Sequence, residues 1–432
     1  ARDWAEVIEL AKTVPMLNVN LNNYKYHGNP ILTEGGAGEF DERGFFRVAV
    51  CRIDADDWRM MYGGRSAPPL KGRIGYATSS DGITWSKYAG NPVLSPTETW
   101  EGDRIIPSTL LYVDGVFYLY YWGRDSALVR RIGLATSRDC INWTKRGIVL
   151  DATPAILNED PASGGYGVDA PKVFFVEEWD PPWFMIFTGF GKYGTWDGYA
   201  VSEDGIEWTK VDAPLHIAEG NFRAFVKGHT ANQATVRCIM HIGALWVGIA
   251  PNYKSVKGGL YNDVEQDVAV SADLKRWVKL GRKTVYANQD YETGYADVYD
   301  AELEKEWIYI YYRIDAGGNV YRLGLIRAPR RSRRQPMVLW ENESITTSGK
   351  ESMILEPFPG RALSFYIHSD QSGTLYIRGY DPVSGTFRNL KDVPVSADDL
   401  TAYNLADTKI HKVRIRFVPS ANATVSAWAV EE

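Results

Sequence analysis

The nonapeptide Ala77-Thr-Ser-Ser-Asp-Gly-Ile-Thr-Trp85 recurs as Ala135-Thr-Ser-Arg-Asp-Cys-Ile-Asn-Trp143, as Ala200-Val-Ser-Glu-Asp-Gly-Ile-Glu-Trp208 and, with more changes, as Ala269-Val-Ser-Ala-Asp-Leu-Lys-Arg-Trp277. The closing tryptophans lie 58, 65 and 69 residues apart. That interval exceeds a solenoid repeat and suits a four-stranded propeller blade with long loops. One blade cannot cover its own faces, so the units must pack on one another. In each copy an apolar strand runs into an Asp-centred turn, and the tryptophan returns as a large apolar anchor. Ser79, Asp81, Trp85 and their counterparts are therefore read as turn and packing residues.

Around each copy the same order of strands can be traced. Trp58-Arg-Met-Met-Tyr-Gly-Gly-Arg65, Phe117-Tyr-Leu-Tyr-Tyr-Trp-Gly-Arg124, Trp183-Phe-Met-Ile-Phe-Thr-Gly-Phe190, Leu245-Trp-Val-Gly-Ile-Ala250 and Trp307-Ile-Tyr-Ile-Tyr-Tyr-Arg313 are five aromatic strands. His27-Gly-Asn-Pro-Ile-Leu32 and Ala89-Gly-Asn-Pro-Val-Leu94 read as lead-ins to the first two units. The expectation is an all-β chain, with a five-bladed β-propeller over residues 25–330 and a C-terminal β-sandwich over 337–432. An arginine-rich, proline-closed linker separates the two. Residues 1–24 read as an N-terminal helical segment, with Asp3 as N-cap and Trp4, Val7, Ile8 and Ala11 on one face.

Composition narrows the function classes. Net charge is −6, which leaves no electrostatic footprint for nucleic acid. No apolar run is long enough to span a membrane as a helix. Cys51, Cys140 and Cys238 form neither a disulfide framework nor a metal-ligand spacing. The 26 tyrosines and 15 tryptophans suit a surface that stacks on sugars, and the expected partner is a carbohydrate. No cofactor is called for, and no ligand motif argues for a structural calcium ion. Neither the oligomeric state nor the compartment can be read, although a secreted or periplasmic location is favoured over a cytoplasmic one.

In a propeller the innermost strands converge on one axial channel, so chemistry is sought at equivalent blade positions. Phe40-Asp41, Trp100-Glu101 and Tyr291-Glu292 are aromatic–acid pairs seven residues ahead of Arg47, Pro107 and Val298. Asp169 in Gly167-Val-Asp-Ala-Pro-Lys-Val173 and Asp297 in Tyr295-Ala-Asp-Val298 fall on innermost strands. An acid among apolar strand residues needs either solvent from a channel or a partner. The candidate catalytic set is therefore Asp169, Asp297, Asp41, Glu101 and His229. The candidate substrate-binding set is Arg43, Trp100, Asp103, Arg104, Lys172, Asn232, Glu292 and Tyr295. Paired carboxylates roughly 6.5–9.5 Å or 5–5.5 Å apart would suit glycosidic cleavage with inversion or retention.

Over residues 27–330 the Gly-Asn-Pro-Val-Leu lead-in, the Tyr-Leu-Tyr-Tyr strand and the Ala-Thr-Ser-x-Asp-Gly-x-x-Trp turn resemble the five-bladed glycoside hydrolases of families 43 and 32. Mannoside phosphorylases and neoagaro-oligosaccharide hydrolases lie nearby. The resemblance implies a glycoside hydrolase acting on a plant- or algal-type glycan, with Asp169 matching the family-43 Asp of blade three. Blade one departs from that pattern, holding Phe46 and Arg47 where a base Asp is expected, and blade four holds Asn232 where an acid Glu is expected. His229 fits the replacement of that acid by His in the neoagaro-oligosaccharide relatives. Two alternatives stand beside hydrolysis: a propeller that only binds glycans, and a phosphorylase in which one acid works with basic residues that hold phosphate.

Overall fold

The computed structural model describes residues 25–26, 28–67, 71–152, 167–191, 194–211, 216–218, 238–242, 245–253, 264–284, 297–304, 307–329, 337–352, 355, 363–381, 386–398, 400–405 and 413–431. The chain divides into two compact units, 1–330 and 331–432. The described residues are nearly all β, with one 3-10 turn at Thr99–Glu101. The expected N-terminal helical segment lies outside them.

The first unit is a five-bladed β-propeller. Its innermost strands are Phe45–Asp54, Ile105–Val113, Gly167–Phe175, Cys238–Ile242 and Asp297–Leu303. Each is followed by antiparallel strands in chain order; in blade one these are Asp57–Arg65, Gly72–Ser79 and Ser86–Lys87. The strands are apolar on both faces because each sheet is covered by a neighbour on each side. Separate apolar cores accordingly form between blades five and one, one and two, two and three, and three and four. Trp58 and Tyr309 meet across the first of these with ring centroids 4.9 Å apart. Burying one such ring contributes roughly 1.5–3 kcal/mol.

The repeated turn works as its sequence suggests. In blade one Ser79 Oγ donates to Asp81 Oδ1 at 2.9 Å, and that oxygen accepts Ile83 N at 2.8 Å and Thr84 N at 2.7 Å. Trp85 Nε1 then donates to Gly82 O at 3.1 Å. The same pattern recurs at Asp139, Asp204 and Asp273. Turns dock on neighbours: Tyr311 of blade five donates to Gly82 O at 2.9 Å, and Tyr120 of blade two to Gly205 O at 2.6 Å.

One expectation changes in phase. The Gly-Asn-Pro segments do not lead into the units that follow them; each is the outer edge of the preceding blade. Asn91 accepts Tyr76 N at 2.7 Å and donates to Tyr62 Oη at 2.9 Å, and Leu94 bridges Ile74 in blade one. Asn29 accepts Leu325 N at 2.8 Å and donates to Tyr312 Oη at 3.2 Å, with Lys25 and Leu32 bridging Ile326 and Leu323 in blade five. Blade five has three consecutive strands. The start of the described chain supplies its outer edge, and this joins the two ends of the propeller.

The second unit is a β-sandwich of two four-stranded antiparallel sheets. One runs Met337–Ile345, Ala423–Glu431, Leu363–Ser369, Leu400–Leu405; the other runs Lys350–Glu351, Val413–Pro419, Gly373–Asp381, Thr386–Val395. Alternate residues face inward, and Phe365, Ile367, Leu375, Ile377, Ile415, Phe417 and Val425 form its core.

Candidate functional site

The aromatic–acid pairs of blades one and two are structural clamps, which corrects the catalytic expectation for Asp41 and Glu101. Phe40 lies over Gly64 and Gly75 and stacks on Tyr62, with centroids 5.8 Å apart; Trp100 lies over Gly123 and Gly133 and stacks on Tyr121 at 5.7 Å. Glycine is required under these rings because a Cβ would collide with them. Asp41 is 1% exposed and accepts Lys87 Nζ at 2.7 Å. Glu101 is 0% exposed and accepts Thr97 N at 2.6 Å, Tyr121 Oη at 2.8 Å and Lys145 Nζ at 2.5 Å. Both carboxylates are charge-paired within their own blades and have no free face for a substrate proton. Trp100 is likewise committed to packing, not to sugar stacking.

Inside the channel the central acid is Asp300, not one of the predicted residues. Asp300 Oδ1 accepts Lys172 Nζ at 2.7 Å, Lys172 also donates to Ser108 O at 2.9 Å, and Asp300 Oδ2 accepts Val50 N at 2.9 Å. This network joins blades one, two, three and five. Lys172, expected to hold substrate, is 4% exposed and is satisfied here. Two residues beyond Asp300, burial and then the Asp300 carboxylate push Glu302 up to about 8.

The innermost strands of these four blades carry bulges near the end where they begin: at Phe46 and Arg47, at Ser108, at Ala170 and Pro171, and at Tyr299. Bulges at matching places re-aim side chains and favour functional sites. At this end the channel rim is rich in arginine. Arg130 NH1 lies 3.6 Å from Asp169 Oδ2, and its guanidinium lies over the Trp122 ring, 5.8 Å from the centroid. Burial, followed by the like charges of Arg104 and Arg130, holds Arg124 below its usual value. Arg124 has no carboxylate partner within ion-pair distance among the described residues. Across the rim Arg65 and Arg313 lie on Tyr321, 4.5 and 4.6 Å from its centroid.

Asp169 is thus a predicted acid that the structure brings to a group of cations. Arg104 joins that group and pairs with exposed Asp103 at 3.1 Å. Arg43 reaches Gly318 O at 3.4 Å on the blade five side. Asp297 begins the innermost strand of blade five opposite Arg313; its side chain, and His229, Asn232, Glu292 and Tyr295, lie outside what the structure describes. Sequence reasoning missed Arg124, Arg130 and Asp300. The available signal was the Gly-Arg that closes the aromatic strand at both Arg65 and Arg124. Chemically, several guanidiniums beside one carboxylate form a site for an oxyanion next to a proton-transfer group.

No protein-family model matches the chain. Two curated proteins of Thermoanaerobacter sp. are similar over part of it. A 1,2-β-oligomannan phosphorylase is 28% identical over 130 residues, covering 28% of this chain and 43% of the relative. A β-1,2-mannobiose phosphorylase is 26% identical over 121 residues, covering 24% of this chain and 37% of the relative. The chain therefore spans less than half the length of the curated relatives it matches. Among solved structures, a glycosyl hydrolase from Bacteroides ovatus superposes with a TM-score of 0.53 at 17% identity, over 70% of this chain and 92% of that one. The β-1,2-mannobiose phosphorylase of Listeria innocua, in complex with β-1,2-mannobiose, gives 0.52 at 13% identity over 71% and 96%. A structure from the GH130 family of mannoside phosphorylases, described as containing glycoside hydrolases that target β-1,2 mannosidic linkages in Candida mannan, gives 0.50 at 17% identity over 70% and 92%. At these identities the likeness is one of fold.

Proposed function

We propose that the protein is a glycoside phosphorylase that cleaves a β-1,2-linked mannoside with inorganic phosphate. The observation that carries this reading is the group Arg104, Arg124 and Arg130 beside Asp169. Hydrolysis by two carboxylates calls for a second acid beside Asp169, and Asp41, Glu101 and Asp300 are each ion-paired with a lysine, Lys87, Lys145 and Lys172. Phosphorolysis needs one acid and a cationic cradle. In this mechanism phosphate, held by the arginines, attacks the anomeric carbon as the glycosidic C–O bond breaks. Asp169 delivers the proton to the leaving oxygen, and a sugar 1-phosphate results.

The nature of the curated relatives supports a β-1,2-mannoside over the plant- or algal-type glycan expected from sequence. The test is incubation with β-1,2-mannobiose with and without inorganic phosphate. Mannose 1-phosphate formed only when phosphate is present is the expected result. Free mannose released at the same rate in both assigns hydrolysis instead, and no turnover of any β-mannoside overturns the reading.

A further inference from the structure

Asp169 is followed by an unusual stretch of backbone. Ala170 has φ of 51°, a left-handed conformation that alanine adopts only under constraint, and Pro171 offers no N–H to the neighbouring strand. In this bulge Ala170 and Pro171 together oppose Phe187, between the pairs Thr188–Asp169 and Ile186–Lys172. A residue in such a conformation persists only where its surroundings over-determine it. The surroundings here are explicit. Thr109 Oγ1 donates to Pro171 O at 2.8 Å, and Val173 N donates to Thr109 Oγ1 at 3.2 Å. Lys172 reaches across the channel to Ser108 O and Asp300.

Ser108 is itself the bulged residue of blade two, and Asp300 directly follows the bulged residue of blade five. One buried ion pair therefore fixes three bulges relative to one another, while Asp300 also holds the backbone of blade one through Val50 N. Such a pair is a weak source of net stability, because desolvation offsets most of the attraction. Its geometric effect is stronger: it sets where the residue three positions earlier can point.

We propose that Lys172 and Asp300 are positioning residues that hold the strained turn at Ala170, so that the Asp169 carboxylate stays aimed at Arg130 on the channel rim. This rests on the assignment of Asp169 as the proton donor above.

The test uses the full chain. Lys172→Met is expected to lower kcat about 100-fold with the KM for phosphate within about threefold, because a misplacement of the reacting group by about 1 Å has an effect of that size. Lys172→Arg, which keeps the charge and reach, is expected to recover about tenfold of that loss. The decisive variant adds Ala170→Gly to Lys172→Met. Glycine takes up positive φ without strain, so the turn no longer needs its clamp, and about fivefold of the lost kcat should return. A purely stabilising cross-link would gain stability but no kcat per folded molecule from that glycine, so absence of rescue in kcat overturns the proposal. If Lys172→Met does not fold, the near-isosteric Asp300→Asn takes its place in the same comparison. A crystal structure of either variant provides a readout independent of the reaction. Asp169 displaced from Arg130 supports the proposal, and Asp169 still within ion-pair distance overturns it. If the wild-type chain shows no dependence on phosphate, the functional reading fails while this distance still decides the positioning claim.

Discussion

Two residues show how local environment sets behaviour at this site. Among the described residues Arg124 has Arg104 and Arg130 as like-charged neighbours and no carboxylate within ion-pair distance, so a phosphate oxyanion suits its surroundings. Arg124→Gln removes the charge and keeps most of the volume; the KM for phosphate is expected to rise about tenfold, equivalent to about 1.4 kcal/mol. Steady-state kinetics at varied phosphate measures this, and an unchanged KM would remove Arg124 from the cradle. Glu302 is affected in the opposite sense: its ordinary value is 4.5, and burial with Asp300 beside it raises this to about 8. Between those values the native chain holds a proton that the unfolded chain has released, so stability falls as pH rises. The contribution is complete below pH 4.5 and gone above about 8. Glu302→Gln cannot ionise, so its Tm should exceed that of the wild type at pH 8, with the gap closing towards pH 5. A gap that is the same at both ends would show that ionisation of Glu302 is not its cause.

At the scale of elements, blades one and two reuse one device. An aromatic lies over two glycines of its own sheet, and the acid beside it is locked by a lysine from the outermost strand, Lys87 or Lys145. In sequence this looked like a repeated acid at a channel position, because Phe40-Asp41 and Trp100-Glu101 stand at fixed distance from the innermost strands. What spacing could not reveal is direction: the acid turns outward to the sheet's own lysine instead of inward to the axis. The Ser-x-Asp turn was legible because its hydrogen bonds are local, all closing within a few residues. The Gly-Asn-Pro segments were found but assigned to the wrong blade, since a strand edge and a lead-in look alike until pairing is known. Glu101→Ala should leave Lys145 and Tyr121 without their acceptor and destabilise the protein by about 3 kcal/mol, while turnover per folded molecule stays near wild type. Denaturant unfolding combined with active-site-normalised kinetics tests both halves. A large loss of turnover in a fully folded variant would return Glu101 to the catalytic set.

For the molecule as a whole, architecture was more legible than chemistry. Five aromatic strands and four related turns announce the propeller because blade packing demands the same residues each time. The channel obeys no such repetition. Asp300, Lys172, Ser108 and Val50 come from four blades and converge only after folding, so nothing in their sequence neighbourhoods marks them as partners. Asp169 was legible as an acid on an apolar strand and Arg104 as a candidate cation, but not Arg124 or Arg130. The same separation between repeated scaffold and unrepeated site predicts how the chain divides. Among the described residues, the sandwich core runs from Leu339 to Ala427 and is drawn from residues of that unit. A unit of this size buries enough surface to fold alone. Residues 331–432 expressed separately should therefore unfold in one cooperative transition, by circular dichroism and by fluorescence alike. The complementary fragment 1–330 contains the arginine group, Asp169 and the Lys172–Asp300 pair, so it should retain phosphate-dependent turnover within about threefold of the full chain. Loss of turnover in a folded fragment would overturn the assignment of the reaction to the propeller's own residues.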